Sequence, residues 1–259
     1  MNAPVPSARR GSALKVESLG LQIGGATILK DVDLDVAAGS IVGVIGPNGA
    51  GKTTLFNAVS GLVKPTSGRI LLDDHDITSA SVPARARAGL GRTFQTSSLF
   101  PKLSVLENVR LAAQVTIGGD YSLFRFPRTT DAATGVARER LETVGLSHKL
   151  DALAGDISHG DKRKLEIAVL LATEASIVLL DEPMAGVASG DVAGLVENIR
   201  VMQREKGCTV LMVEHHIDVL MGLVDQVAVM YFGTIIAFDT PENVMANPLV
   251  QSAYLGTAG

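Results

Sequence analysis

The chain predicts an α/β fold: a sheet flanked by helices, with a helical subdomain inserted in its middle. Three observations predict it. Short β-branched runs alternate with stretches of helical spacing through much of the 259 residues, as they do where helices connect the strands of one sheet. Two of those runs, Ile41–Ile45 and Ile177–Leu180, are apolar on both alternating faces, the pattern of strands covered above and below. A glycine-rich turn, Gly46 to Thr54, separates the first run from a segment that reads as a helix.

From the N-terminus, residues 1–12 read as a disordered tail ahead of a single domain over residues 13–259. Strands are expected at Leu14–Leu19, Ile28–Val36, Ile41–Ile45, Arg69–Leu72, Ile177–Leu180, Val210–Val213, Gln226–Met230 and Thr234–Phe238, with Ile41–Ile45 and Ile177–Leu180 at the sheet centre. Val105–Gln114 and Asp131–Val144 show helical spacing with no comparable apolar strand between them, so a helical lobe is expected over residues 96–172 or thereabouts. Within that lobe Thr116–Thr130 gathers Gly118, Gly119, Tyr121, Phe124, Phe126, Pro127 and two arginines. Two readings stand for it, a long surface loop and a contact with a membrane partner.

Composition narrows the function. Hydrophobic residues make up 46% of the chain, which argues against disorder, and 23 basic against 27 acidic residues leave a net charge of −4. That balance gives no broad nucleic-acid footprint, and no nucleic-acid partner is expected. Cys208 is the single cysteine and adjoins the apolar run Thr209–Val213; it reads as a buried filler, and no disulfide can form within the chain. Arg9 and Arg10 have no apolar stretch behind them, so the order of parts of a secretory signal is missing. No apolar run approaches the length of about 18 residues that a membrane span requires.

Two segments carry chemistry. In Gly46-Pro47-Asn48-Gly49-Ala50-Gly51-Lys52-Thr53-Thr54 the glycines let the backbone curl so that successive N–H groups point at a phosphate. Lys52 adds a charge for the β- and γ-oxygens, the Thr53 hydroxyl is placed for Mg²⁺, and the following helix adds the positive end of its dipole. This is a nucleoside-triphosphate cradle. The run Ile177–Leu180 ends in Asp181 and Glu182, where Asp181 suits the metal and Glu182 an attacking water, the two needs of phosphoryl transfer. His215 and His216 are neighbours; on an extended chain they face opposite ways and do not suit one metal.

Together these residues resemble the nucleotide-binding subunit of ATP-binding-cassette transporters, a P-loop NTPase, from about Leu14 to Leu255, and the resemblance implies a core of mixed sheet flanked by helices, with an N-terminal antiparallel β portion and an inserted helical subdomain. The resemblance identifies Arg92-Thr93-Phe94-Gln95 with the family's glutamine loop, and implies that Gln95 contacts Mg²⁺ or water. It identifies Ile157-Ser158-His159-Gly160-Asp161 with the signature, which in the family holds the ATP of a second subunit, and Val213-Glu214-His215 with the switch, so that His215 meets the γ-phosphate. A hydroxyl and backbone N–H groups at a helix N-terminus suit an anion physically as well. The cofactors implied are ATP and Mg²⁺.

The sequence departs from the family at four places. Ile23 stands where an aromatic residue stacks on adenine, and an aliphatic side chain covers a base without ring stacking. His159 replaces a common glycine, and Asp161 replaces an amide, so its charge repels a triphosphate unless it points away or meets Lys162, Arg163 or Lys164. Ala188 stands where the dimer-contact loop usually carries an acidic or amide side chain, with Asp191 a candidate substitute.

Lys164-Leu165-Glu166-Ile167-Ala168 and Ala253-Tyr254-Leu255-Gly256, with the motifs above, are similar to the hydrophobic and branched-chain amino-acid uptake branch, which includes importers of urea and related solutes. The expected protein is an ATPase subunit that works as an ATP-sandwiched homo- or heterodimer, bound peripherally to permease subunits at the cytoplasmic face of the inner or plasma membrane and served indirectly by an extracytoplasmic solute-binding protein. Three other readings stay open: the ATPase of a lipid or lipopolysaccharide exporter, a nucleotide-gated clamp on DNA or ribosomes, and a regulatory module that binds nucleotide without hydrolysis. The clamp usually carries two cassettes or a long coiled coil, which this chain lacks.

Overall fold

A computed structural model describes residues 12–93, 99–117 and 132–255. The chain begins with two long strands, β1 (Ser12–Ile23) and β2 (Ala26–Ala37), followed by β3 (Ile41–Ile45) and α1 (Lys52–Ser60). Next come β4 (Ser67–Leu72), the two-residue β5 (His75–Asp76), α2 (Val82–Arg87) and β6 (Leu90–Arg92). The middle is helical: α3 (Val105–Ile117), α4 (Ala132–Thr143), a short 3-10 turn at Ser147–Lys149, and α5 (His159–Ala172). The last third holds β7 (Ile177–Asp181), α6 (Ser189–Lys206), β8 (Thr209–Val213), α7 (Ile217–Met221), β9 (Gln226–Tyr231) and β10 (Thr234–Asp239), then α8 (Pro241–Ala246) and α9 (Pro248–Leu255).

Two sheets result. β2, β1, β4 and β5 pair antiparallel in that order, and β10, β9, β3, β8, β7 and β6 form the second sheet. In the latter, β9, β3, β8, β7 and β6 are mutually parallel and β10 closes the edge antiparallel to β9.

Period-2 alternation sorts the central strands onto two cores. Ile41 and Ile45, Val178 and Leu180, and Val210 and Met212 pack with residues of the helical middle such as Val105, Leu141 and Leu165. Their neighbours Val42 and Val44, Ile177 and Leu179, and Leu211 and Val213 pack with Leu55, Phe56 and the antiparallel sheet. Both faces of β3, β7 and β8 are therefore buried, which is why these runs carry no polar alternation.

Each strand expected from sequence forms; β3 keeps the expected bounds, and the others run one to four residues further at one or both ends. β1 runs four residues past the expected Leu19 because register shifts, with Ser18 at φ 44°, break its alternation and hide its continuation. β6 was not expected: Leu90-Gly91-Arg92 carries no strand pattern, and pairing with Ile177, Val178 and Leu179 makes it one. No helix among the described residues is long and apolar enough to cross a membrane.

Candidate functional site

β3, β6, β7 and β8 are parallel, so their carboxyl ends open on one edge of the sheet, where α/β folds hold ligands. That edge receives the Gly46–Gly51 turn from β3, Thr93 from β6, Asp181 and Glu182 from β7, and Glu214 and His215 from β8.

The turn depends on its glycines. A Cβ on Gly46 would lie 2.2 Å from the Met230 carbonyl oxygen of neighbouring β9, so any side chain forces strand and loop apart. Gly51 caps α1 at φ 104°, a left-handed conformation open to glycine. Between them, Pro47, Asn48, Gly49 and Ala50 complete the curve, with Gly49 at φ 79°. Lys52 opens α1, is buried, and donates through Nζ to the carbonyls of Gly46 at 2.6 Å and Pro47 at 3.0 Å. Burial pushes its pKa below the ordinary lysine value, and the charges of Glu182 and Asp181 push it back up, which places the ammonium within their field. Thr53 is exposed and Thr54 half-buried on the same turn.

Asp181 is 1% exposed and shares its carboxylate unequally. Oδ2 accepts from Arg92 Nη2 at 3.0 Å, whereas Oδ1 has no hydrogen-bond partner among the described residues. A buried carboxylate oxygen left unpaired costs free energy unless a ligand takes it, so the site fits a hard cation, with the Thr53 hydroxyl the second protein oxygen available. Arg92 also donates to Ser60 Oγ at 2.7 Å, and its guanidinium lies 5.9 Å from the Phe56 ring centroid, joining β6 and β7 to α1. Thr93 Oγ1 accepts from the Asp181 N–H at 3.2 Å.

Glu182 sits at φ 49°, uncommon for a side-chain-bearing residue, with its N–H donated to Val213 at 2.9 Å. Its Oε1 is 3.0 Å from His215 Nε2. The carboxylate and the imidazole are thus brought together. His216 turns elsewhere, its Nδ1 lying 3.2 Å from Glu214 Oε2, so the two histidines face separate carboxylates.

Ser158 is the N-cap of α5, which packs on α3, α4 and α6. Its Oγ accepts from the Asp161 N–H at 3.1 Å and donates to Asp161 Oδ2 at 2.9 Å. The Asp161 carboxylate is paired with Lys149, from the 3-10 turn, rather than hydrogen-bonded to Lys162, Arg163 or Lys164. Burial raises its pKa, but hydrogen bonds from Lys149 and Ser158 and the charges of Lys149 and Lys164 outweigh that and hold the carboxyl below its usual range. Gly160 is buried, and a Cβ there would stand 3.2 Å from Asp191 Oδ2; His159 is exposed.

The remaining candidates separate. Ile23 ends β1 at the tip of the β1–β2 hairpin and is 55% exposed. Ala188 is the N-cap of α6 and makes no side-chain cap, while the Asp191 N–H donates to its carbonyl at 2.8 Å. Gln95 lies outside the described residues, as do most of Thr116–Thr130, the tail before residue 12, and Gly256. Three residues at these sites escaped sequence reasoning: Arg92, Lys149 and Glu214. Arg92 and Glu214 stand inside quoted motifs, but their partners are 89 and 30 residues away in the chain, and nothing local announces such pairings.

A family model described as ABC transporter matches residues 29–185. The chain is 38% identical over 250 residues to the high-affinity branched-chain amino acid transport ATP-binding protein LivG of Escherichia coli (strain K12), covering 95% of this chain and 98% of that one. It is 33% identical over 247 residues to the lipopolysaccharide export system ATP-binding protein LptB of Escherichia coli (strain K12), covering 95% and 98%. Among solved structures, the ADP conformation of MJ1267, an ATP-binding cassette of an ABC transporter, superposes with a TM-score of 0.83 at 31% identity, covering 95% of this chain and 99% of that one.

Proposed function

This chain belongs to the ABC transporter family, and from that premise we propose that it is the ATP-binding and hydrolysing subunit of a membrane importer for branched-chain amino acids or a related small solute. The observation that carries the reading is the convergence at one sheet edge of the Lys52 loop, Asp181, and the Glu182–His215 pair at 3.0 Å. The loop N–H groups and Lys52 take the phosphates, Glu182 orients the attacking water and accepts its proton, and His215 meets the γ-phosphate. Asp181 Oδ1 and the Thr53 hydroxyl would hold Mg²⁺, which offsets charge on the β- and γ-oxygens when bound; Gln95 is assigned beside it from its motif.

Ser158, His159, Gly160 and Asp161 form the other wall, presented to the ATP of a second subunit, so that two chains sandwich two nucleotides. Ile23 covers the adenine face from its exposed hairpin tip. The helical lobe over residues 96–172 meets the permease subunits, the chain stays peripheral at the cytoplasmic face, and an extracytoplasmic binding protein supplies solute. Higher identity to LivG, at 38%, than to LptB, at 33%, favours uptake over export.

The test is Glu182→Gln. The amide cannot accept the water's proton, so the variant is expected to form a dimer that depends on ATP while turnover falls by about 10²-fold or more. Full turnover in the variant would contradict the role. Co-purification with its permease and uptake of labelled leucine against a lipid-export assay then decide the transported class.

A further inference from the structure

We propose that Glu214 is a positioning residue that clamps the switch segment to the loop following Glu182, so that movement of His215 is passed directly to Met184 and the segment leading to Ala188. The inference rests on the hydrolytic reading above and adds a part to it.

β7 and β8 pair up to Asp181 and Val213, and the Glu182 N–H still reaches the Val213 carbonyl at 2.9 Å. Beyond that the backbones part. Glu214 spans the gap with its side chain: Oε1 accepts the Met184 N–H at 2.7 Å, and Oε2 accepts the N–H groups of His215 at 3.0 Å and His216 at 3.4 Å. One carboxylate thus continues the ladder where main-chain pairing stops.

Burial makes the clamp stiff. The Glu214 side chain is 1% exposed and meets no lysine or arginine among the described residues; the imidazole of His216, 58% exposed, lies at its outer edge. A buried carboxylate without a full counter-charge must be stabilised by its N–H donors, and such charge-assisted bonds are shorter and stronger than neutral ones. If the Met184 and His215 backbones separated, the charge would stay buried without its donors. The two loops therefore move together. His215 lies on one side of the clamp, and the Glu182–His215 contact bridges the same two loops.

The chemistry of the side chain sets the test. Glu214→Gln keeps the shape but leaves one acceptor oxygen, so an NH₂ faces either Met184 N–H or the His215 N–H. In the full-length chain, MgATP affinity is expected to stay within about 3-fold, since the phosphate loop is untouched, while kcat falls by about 10- to 100-fold. Glu214→Asp keeps the charge and withdraws it by one methylene; it is expected to lose less kcat, and it carries the same test if the glutamine variant does not fold. A folded Glu214→Gln chain with kcat within 3-fold of the parent overturns the inference, and so does a loss of MgATP affinity as large as the loss of kcat. A parent chain that binds MgATP without hydrolysis instead overturns the hydrolytic reading.

Discussion

Replacing Arg85 by methionine should destabilise the protein by about 3–5 kcal/mol, the cost of leaving carbonyls without their charged donor less the desolvation cost that the charge itself carried. Arg85, on α2, is 2% exposed, yet among the described residues it pairs with no carboxylate at contact distance. Its guanidinium donates to four carbonyls: Ala58 at 2.7 Å, Val59 at 2.6 Å, Thr78 at 2.9 Å and Ala80 at 3.0 Å. Ala58 and Val59 lie in the last turn of α1, the helix whose first residue is Lys52, so a cation stands at the negative end of the phosphate helix. Gly61 makes the approach possible, because a Cβ there would sit 2.9 Å from Arg85 Nε.

Four bonds to a charged donor at about 1.5–3 kcal/mol each would sum to about 6–12 kcal/mol. Two effects reduce that. Burial pushes the guanidinium pKa down, with Asp76 opposing, so removing the charge also removes a desolvation cost. The Ala58 carbonyl keeps a second donor, the Gly61 N–H at 3.1 Å. At about 2–4 °C per kcal/mol for domains of this size, the melting temperature should fall by about 6–20 °C. Thermal and urea unfolding of Arg85→Met beside Arg85→Lys, which keeps the charge but not the fork, make the measurement. A methionine variant within about 1 kcal/mol of the parent would refute the reasoning, because the carbonyls of Val59, Thr78 and Ala80, buried or part-buried, cannot lose their charged donor so cheaply.

Two further outcomes follow from ionisable side chains. Asp161 has a carboxyl pKa held down in the folded chain, so it stabilises the fold above the unfolded value of about 3.9 and that contribution is lost as pH falls through the folded value. Asp161→Asn should therefore show a lower urea midpoint than the parent at neutral pH and a gap that closes below about pH 4; a gap that widens in acid reverses the sign and refutes the pairing. Burial pushes the Cys208 thiol up to about 11, with its Sγ 3.3 Å from the Met202 carbonyl. Native protein at neutral pH should resist iodoacetamide and react fully once unfolded, and labelling of the native chain at a free-thiol rate would show the site to be open.

What could be read from sequence and what could not divide along a physical line. β3, β7 and β8 were legible because burial on both faces leaves unbroken apolar runs, and the phosphate turn was legible because close approach and positive φ demand glycine at fixed places. β6 was illegible because three residues including a glycine acquire strand geometry from their neighbour alone. Side-chain partners were harder still. The charge of Asp161 was open to neutralisation by three cations on its own helix, and the structure pairs it with Lys149, 12 residues earlier, because the 3-10 turn brings that ammonium to the helix N-terminus. Arg85 gave no signal at all: an arginine in Val82–Arg87 reads as surface, and only the fold brings the end of α1 over it.

The groups assigned to the phosphates share one property that bears on how such a site can switch. Lys52 is bound to its own loop carbonyls, His215 to Glu182, and Ser158 to Asp161. A triphosphate that engages them exchanges one set of hydrogen bonds for another, and the net gain per exchanged neutral bond is about 0.5–1.5 kcal/mol, a fraction of its gross strength. Affinity must then come chiefly from the charges and aligned N–H groups of the phosphate turn, which the glycines hold in place. The exchangeable contacts contribute a choice between two satisfied arrangements, and a small difference between such arrangements is what a single phosphate can reverse. Glu214 belongs to neither set. With its carboxylate bound to Met184, His215 and His216 N–H groups in a buried position, it is the fixed link through which His215 and the loop after Glu182 move as one.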